Sequence, residues 1–346
     1  MGHGSREAAV AGREPGPRSR TRGRAARVRY ACQRHDRRAY RRLLHRAPWV
    51  ACCGGAVSSD QRRRRFGLRL SDGRRVVMKA HQPRESRERL EAVQSVQGVL
   101  FRAGFPCPEP LVDPAAIGDG FGVVESLVDV GEFRDTHDPT CRRLIAEALA
   151  WHLEVARACG RPAALSSAWS LYAPDSLWPR EAHAPIFDFD ATAAGAEWID
   201  AIAARAKPLA AKPGALLVGH SDWSGKHFRF EDDRVTAVYD WDSLHLGREA
   251  VIVGVAAMTF TTNFDMPGLK LTPTPDEVRA FVDEYSNARR TPLRREEREQ
   301  VAACATFIAA YTARCEHCRY DGYDGAKDPN SFTSALREHG LNYSVA

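Results

Sequence analysis

No stretch of the chain is apolar for long enough to cross a bilayer: the longest run, Ala250 to Phe260, falls well short of the roughly 20 residues a spanning helix needs. No apolar segment follows the amino terminus, so neither export nor anchoring is expected, and a cytoplasmic location is. Internal repeats at solenoid periods are missing. The nine cysteines are an odd number at irregular spacing, and no disulfide framework is expected in a chain of 346 residues, only free thiols in a reducing compartment. Lysine is absent from the first 65 residues, which carry 18 arginines against four acids, a balance of +14. The remainder holds 32 basic and 40 acidic residues, a balance of −8, so the net charge of +6 hides an acidic body behind a basic arm. Residues 1–50 show no periodicity and are expected to form a disordered arm, with nucleic-acid binding by counterion release as the weaker alternative. A hydrophobic share of 44% with 27% charged residues excludes fibrous, collagen-like and wholly disordered classes.

Regular patterning starts near Phe66. Phe66–Leu70 and Arg75–Lys79 flank Asp72-Gly73 and predict a hairpin. Before it, Gly54-Gly55-Ala56-Val57-Ser58-Ser59-Asp60 has residues small enough for its N–H groups to approach a phosphate, with Gly54, Gly55, Ser58 and Ser59 as candidate contacts and a flexible linker as the bland alternative. Leu90, Val93, Val96 and Leu100 recur at helical spacing over Glu85–Ala103, and Phe121–Val130 reads as a buried strand. Asp138-Pro139-Thr140 predicts a capped helix with the stripe Leu144, Ala148, Trp151 and Val155. Further helices are expected over Ala191–Ala211, Ala250–Phe260, Pro275–Asn287 and Arg295–Arg314, and strands over Leu216–Gly219, His227–Phe230 and Val235–Tyr239.

Phosphoryl transfer asks little of a protein: a carboxylate to orient the attacking hydroxyl, ligands for a divalent ion, and a cation on the phosphates. Candidates for each occur in order. Lys79 ends a strand, Asp222 lies in a loop after a short strand, His227 follows five residues later, and Asp240 ends the next hairpin. Each has a plainer reading as well, Asp222 as a bridge between loop amides and Lys79 as a solvated charge. Trp241 reads as core and His220 as a structural histidine bracing its loop. Asp242 is either a support for the metal from behind or a loop cap. Cys315-Glu316-His317-Cys318 invites zinc, but no second ligand pair sits at a usual spacing, and a helix end with free thiols is preferred.

The run His220-Ser221-Asp222-Trp223-Ser224-Gly225-Lys226-His227, followed after a hairpin by Tyr239-Asp240-Trp241-Asp242, resembles the paired signature of the aminoglycoside phosphotransferase family and its protein-kinase-like relatives. The resemblance covers roughly residues 51–320 and implies an α+β, two-lobed protein-kinase-like fold: a nucleotide-binding lobe over residues 51–130, with a small antiparallel sheet, and a helical lobe with the catalytic loop over 131–346. It implies an ATP- or GTP-dependent phosphotransferase acting on a hydroxyl of a small molecule, an aminoglycoside or related amino alcohol included. Asp222 would be the catalytic base, Asp240 a Mg2+ ligand, Lys79 the phosphate-anchoring lysine, and the backbone from Glu125 to Leu127 the adenine hinge.

Two departures stand out. Ser221 replaces a glycine, and His227 replaces an asparagine, which makes the second metal position a poor one for magnesium and turns attention to Mn2+. The acid expected to pair with Lys79 is Glu91, with Gln94 fitting the spacing about as well. A catalytically impaired nucleotide-binding protein is the competing reading, alongside a nucleic-acid-associated protein acting through the arginine arm.

Overall fold

The computed structural model describes residues 63–83, 85–165, 175–179, 187–318 and 324–344. The arginine arm and the glycine-containing loop with Gly54, Gly55, Ser58 and Ser59 lie outside them. The small lobe is a four-stranded antiparallel sheet in the order β1-β2-β4-β3, with β1 Arg63–Arg69, β2 Arg75–His81, β3 Pro110–Ile117 and β4 Gly120–Ser126. The expected hairpin is there. Gly73 takes a φ of 88° in its turn, a conformation that favours glycine, and the Asp72 carboxylate accepts the Arg74 backbone N–H at 3.0 Å. Strand β3 escaped the sequence reading because Pro110 and Pro114 disguise it; the register shifts of its pairing with β4 take up the irregularity.

Helix α1 (Arg87–Arg102), capped by Ser86, turns Val93, Val96 and Leu100 inward to the main core of the large lobe, whereas the sheet's own cluster is small, built on Leu70, Val76, Met78, Ile117 and Val124. The helix therefore fastens the sheet to the rest of the protein. The strand expected to reach Val130 stops at Ser126, where the chain turns toward the large lobe. Gly131 makes that crossing at φ 74°: a Cβ there would stand 2.2 Å from Thr236 Oγ1 and 2.9 Å from the Phe230 carbonyl oxygen.

In the large lobe, α2 (Pro139–Ala156) is capped by Asp138 as expected, but its buried face runs through Cys141, Ile145, Leu149, His152, Leu153 and Ala156. The stripe is rotated by about one residue from the expected one, and Trp151 is left 41% exposed. The cause is His152, which counts as polar in any hydropathy pattern yet is wholly buried, stacked on Trp223 at 5.6 Å. Helix α3 (Glu197–Ala210) starts six residues later than expected, since Gly195, at φ 82°, breaks the pattern. Strand β5 (Leu216–His220) pairs with β8 (Leu244–Arg248), and β6 (Phe228–Glu231) pairs with β7 (Arg234–Val238). Helices α4 (Glu249–Thr259), α5 (Pro275–Ala288), α6 (Arg295–His317) and α7 (Phe332–His339) complete the lobe. The Cys-Glu-His-Cys segment ends α6. There Glu316 accepts the N–H groups of Phe332 and Thr333, Cys318 Sγ lies 2.8 Å from Thr192 Oγ1, and His317 Nε2 lies 3.1 Å from the Ala194 carbonyl oxygen. Glu316, His317 and Cys318 tie the end of α6 to the start of α7 and to the turn before α3, and Cys315 and Cys318 are free thiols. No helix among the described residues is long and apolar enough to cross a membrane.

Candidate active site

Strand β5 delivers His220, wholly buried, to the start of the loop. Its Nε2 lies 3.2 Å from the Tyr239 carbonyl oxygen and its Nδ1 accepts the Asp222 N–H at 3.2 Å, so the ring is neutral with the proton on Nε2. Burial, reinforced by the neighbouring His227, holds its pKa down at about 4. Ser221 fits the glycine position because its φ is not positive, and its N–H and hydroxyl both donate to the Ser243 carbonyl oxygen, at 2.9 and 3.0 Å. The loop is thus fixed from both sides before Asp222 begins.

Asp222 accepts three side-chain donors. Ser224 Oγ lies 2.7 Å from Oδ1, while Lys226 Nζ at 2.8 Å and His227 Nε2 at 3.0 Å share Oδ2. Partial burial works to raise the carboxyl pKa, but the hydrogen bonds and charges of His227 and Lys226 outweigh it and hold the group well below the ordinary range. Asp240 caps the turn Trp241–Ser243 in the left-handed region, at φ 68° and ψ 42°, a conformation uncommon outside glycine. Its Oδ2 accepts Ser243 Oγ at 3.0 Å and lies 3.9 Å from His227 Nε2. Arg65 of β1 reaches its Oδ1 at 2.9 Å from the other lobe. One ligand atom from each of Asp222, His227 and Asp240 falls within 4.8 Å of the others, the one such group among the described residues. Two carboxylates with one imidazole suit a single divalent ion. Trp241 is core, with its indole N–H donated to the Val238 carbonyl oxygen at 2.8 Å.

Lys79 is buried on β2, and its partner is not the expected one. Glu91 is exposed and pairs with Arg87 at 2.7 Å, and Gln94 donates to the Val112 carbonyl oxygen at 2.8 Å. The acid facing Lys79 is Glu125 of β4, with Oε1 2.8 Å from Nζ. Because Lys79 stands opposite Val123 and Glu125 opposite Val77, the pair is a diagonal neighbour on one face of the sheet. From α1 the contribution is Gln97, whose Nε2 donates to Glu125 Oε2 at 3.3 Å and to the Pro108 carbonyl oxygen at 2.8 Å. Asp242, read as a metal support or loop cap, lies 3.7 Å from Lys79 and 3.8 Å from His81. Burial acts to deprotonate Lys79, but Asp242, Glu125 and Asp240 prevail, and its pKa is raised. At the hinge, the Leu127 N–H is donated to the Arg75 carbonyl oxygen at 3.1 Å, so of the expected hinge residues Glu125 acts through its side chain and Leu127's amide is engaged within the sheet edge. Lys226, Arg65 and Gln97 were not singled out in the sequence; only Lys226, a cation inside the loop motif, left a signal there.

A buried strand lysine that meets, across the junction of two lobes, Asp240 and Asp242 of one turn, with the loop aspartate Asp222 grouped beside Asp240, is the arrangement of kinase-like phosphotransferases, and the fold agrees. The chain belongs to the phosphotransferase enzyme family, whose family model matches residues 55–304. Its fold is similar to that of an amicoumacin kinase in complex with AMP-PNP, Ca2+ and Ami, with a TM-score of 0.61 at 9% identity over 88% of this chain and 93% of that one. It is also similar to a type I macrolide 2'-phosphotransferase (TM-score 0.52, 15% identity, 86% and 98% covered). The macrolide 2'-phosphotransferase MphH of Brachybacterium faecium gives a TM-score of 0.50 at 14% identity, with 87% and 97% covered. No curated protein matches the chain by sequence. The protein is thus a kinase-like phosphotransferase with an alcohol group as acceptor.

Proposed function

We propose that the enzyme transfers the γ-phosphoryl group of ATP or GTP to a hydroxyl of a small molecule in the cytoplasm, with Asp222 as the base. The observation that carries this is the orientation of Asp222: a neutral histidine anchors its backbone, three donors fix both carboxylate oxygens, and Asp240 stands beside it. In the reaction the acceptor oxygen bonds to the γ-phosphorus, the bond from that phosphorus to the bridging oxygen breaks, and the acceptor proton goes to Asp222. Lys79, kept cationic and immobile by Glu125, meets the nucleotide phosphates. Asp240 and His227 hold the divalent ion, Mg2+ or Mn2+, which shields phosphate charge when bound. Amino alcohols and antibiotics with free hydroxyls are the acceptors to try first, because the similar folds include kinases for amicoumacin and macrolides. A screen of ADP or GDP formation over a panel of such compounds, with the metal varied, tests the reading; nucleotide binding without transfer to any acceptor would favour the impaired-enzyme alternative.

A further inference from the structure

Arg89 stands in the first turn of helix α1, where a cation opposes the helix dipole. Its backbone is fixed, since its N–H donates to the Ser86 cap at 3.2 Å. Its guanidinium is steered by Glu85, whose Oε2 lies 3.3 Å from Nε. From there Nη2 crosses to the large lobe and donates to two backbone carbonyl oxygens, those of Asp242 and Leu244, at 3.1 Å each.

Both carbonyls belong to the turn that carries Asp240. The oxygens of that turn are accounted for one by one. The Asp240 carbonyl accepts the Ser243 N–H at 2.9 Å, the Trp241 carbonyl accepts the Leu244 N–H, and the Ser243 carbonyl takes the N–H and hydroxyl of Ser221. Arg89 supplies a donor to Asp242 and Leu244. Fastening matters here, because Asp240 holds a left-handed conformation that residues other than glycine adopt at a cost, and that conformation sets where its carboxylate meets Asp222 and His227. Lys79 has its partner, Glu125, inside the sheet. What helix α1 grips directly is the turn of Asp240.

We propose that Arg89 is a positioning residue: through two backbone carbonyls it fixes the turn that presents Asp240 to the divalent ion, so that the seating of helix α1 sets how tightly the ion is held. The proposal rests on the phosphotransferase reading, in which Asp240 is a metal ligand. No bond forms or breaks at the guanidinium.

The sign of the effect separates support from charge. Removing a cation near a divalent-ion site should, by Coulomb's law alone, tighten the ion, whereas removing the support of a ligand should loosen it. Mn2+ is titrated into the full chain saturated with AMP-PNP, and bound ion is followed by electron paramagnetic resonance. Arg89→Met should hold Mn2+ ~10–100-fold more weakly, the usual cost of losing a partner behind a metal ligand, with metal-free AMP-PNP affinity within a few-fold of the parent. Arg89→Lys should stay near the parent, because one ammonium can serve both carbonyls as the single Nη2 does. Arg89→Gln, with a side chain two bonds shorter, should lose as much as Arg89→Met and takes its place if that variant fails to fold. Mn2+ held by these two variants as tightly as by the parent, or more tightly, would overturn the role of Arg89 and leave the phosphotransferase reading standing. Mn2+ held equally by Asp240→Ala and the parent, or not held by the parent at all, would overturn both.

Discussion

Lys79 Nζ and Glu125 Oε1 are 2.8 Å apart on neighbouring strands, so the lysine is held within the sheet and not across the gap to helix α1. The helix reaches the pair only through Gln97. A displacement of α1 would thus leave the lysine paired, and the small lobe needs no helix movement to set its cation.

Glu125→Gln should leave a buried ammonium with Asp242, at 3.7 Å, as its nearest carboxylate and Asp240 acting from further off. Removing one member of a buried pair costs ~3–5 kcal/mol, and the remaining acids put the expected loss at the lower end. ATP binding should weaken with it, as it should in Lys79→Ala. Glu91→Gln, at an exposed pair, should stay within about 0.5 kcal/mol of the parent. Denaturant melts and nucleotide titrations of the three variants check this; equal effects of Glu91→Gln and Glu125→Gln would put the lysine's partner back on the helix.

Three histidines make the fold acid-sensitive. Burial, with repulsion from neighbouring histidines at His152 and His220, lowers the pKa values of His152, His220 and His245 to about 3, about 4 and about 4. In the unfolded chain all three titrate near the ordinary 6.5, so between there and about 4 the unfolded state binds up to three more protons than the folded one. Stability is then full above about pH 6.5 and falls as the pH drops, by up to roughly 4 kcal/mol per pH unit for three protons. Melting temperatures from pH 7.5 to 4.5 should fall steeply, and His152→Gln should flatten the fall. A level profile in the parent would mean that these rings are charged in the folded protein.

His227→Asn should alter metal use. With imidazole nitrogen among the donors, the parent should turn over several-fold faster with Mn2+ than with Mg2+, and the asparagine oxygen should reverse that order. Steady-state rates in each ion decide it; identical ratios in parent and variant would remove His227 from the metal.

The fold class and the grouping of Asp222, His227 and Asp240 are legible in the sequence because these residues are close along the chain or fixed by local turns. Asp222 and His227 are five residues apart, and Asp240 follows after one hairpin, so motif spacing carries them. Arg65 meets Asp240 across 175 residues, and no local pattern encodes such a pair. Glu125 was placed in the hinge for its backbone, since spacing along a strand does not say which face carries its carboxylate. Gln97 carries no charge and belongs to no motif, so nothing in the sequence marks it as a partner of Glu125. Trp151 was assigned to the core because His152 interrupts the apolar period while being more buried than the tryptophan beside it. Periodicity reports polarity, and a histidine closed among Trp223, Trp241 and Phe105 counts against the face it helps to build.

The rate of γ-phosphate transfer from ATP by the parent and by Asp222→Asn, over a panel of amino alcohols and hydroxylated antibiotics, decides whether Asp222 is the base of a phosphoryl transfer to a small-molecule hydroxyl. The parent should transfer to at least one acceptor and the variant should be ~10²–10⁴-fold slower, with melting temperature and AMP-PNP affinity nearly unchanged. Equal rates in the two proteins would remove Asp222 from the reaction, and nucleotide binding by the parent with no transfer to any acceptor would remove the reaction itself.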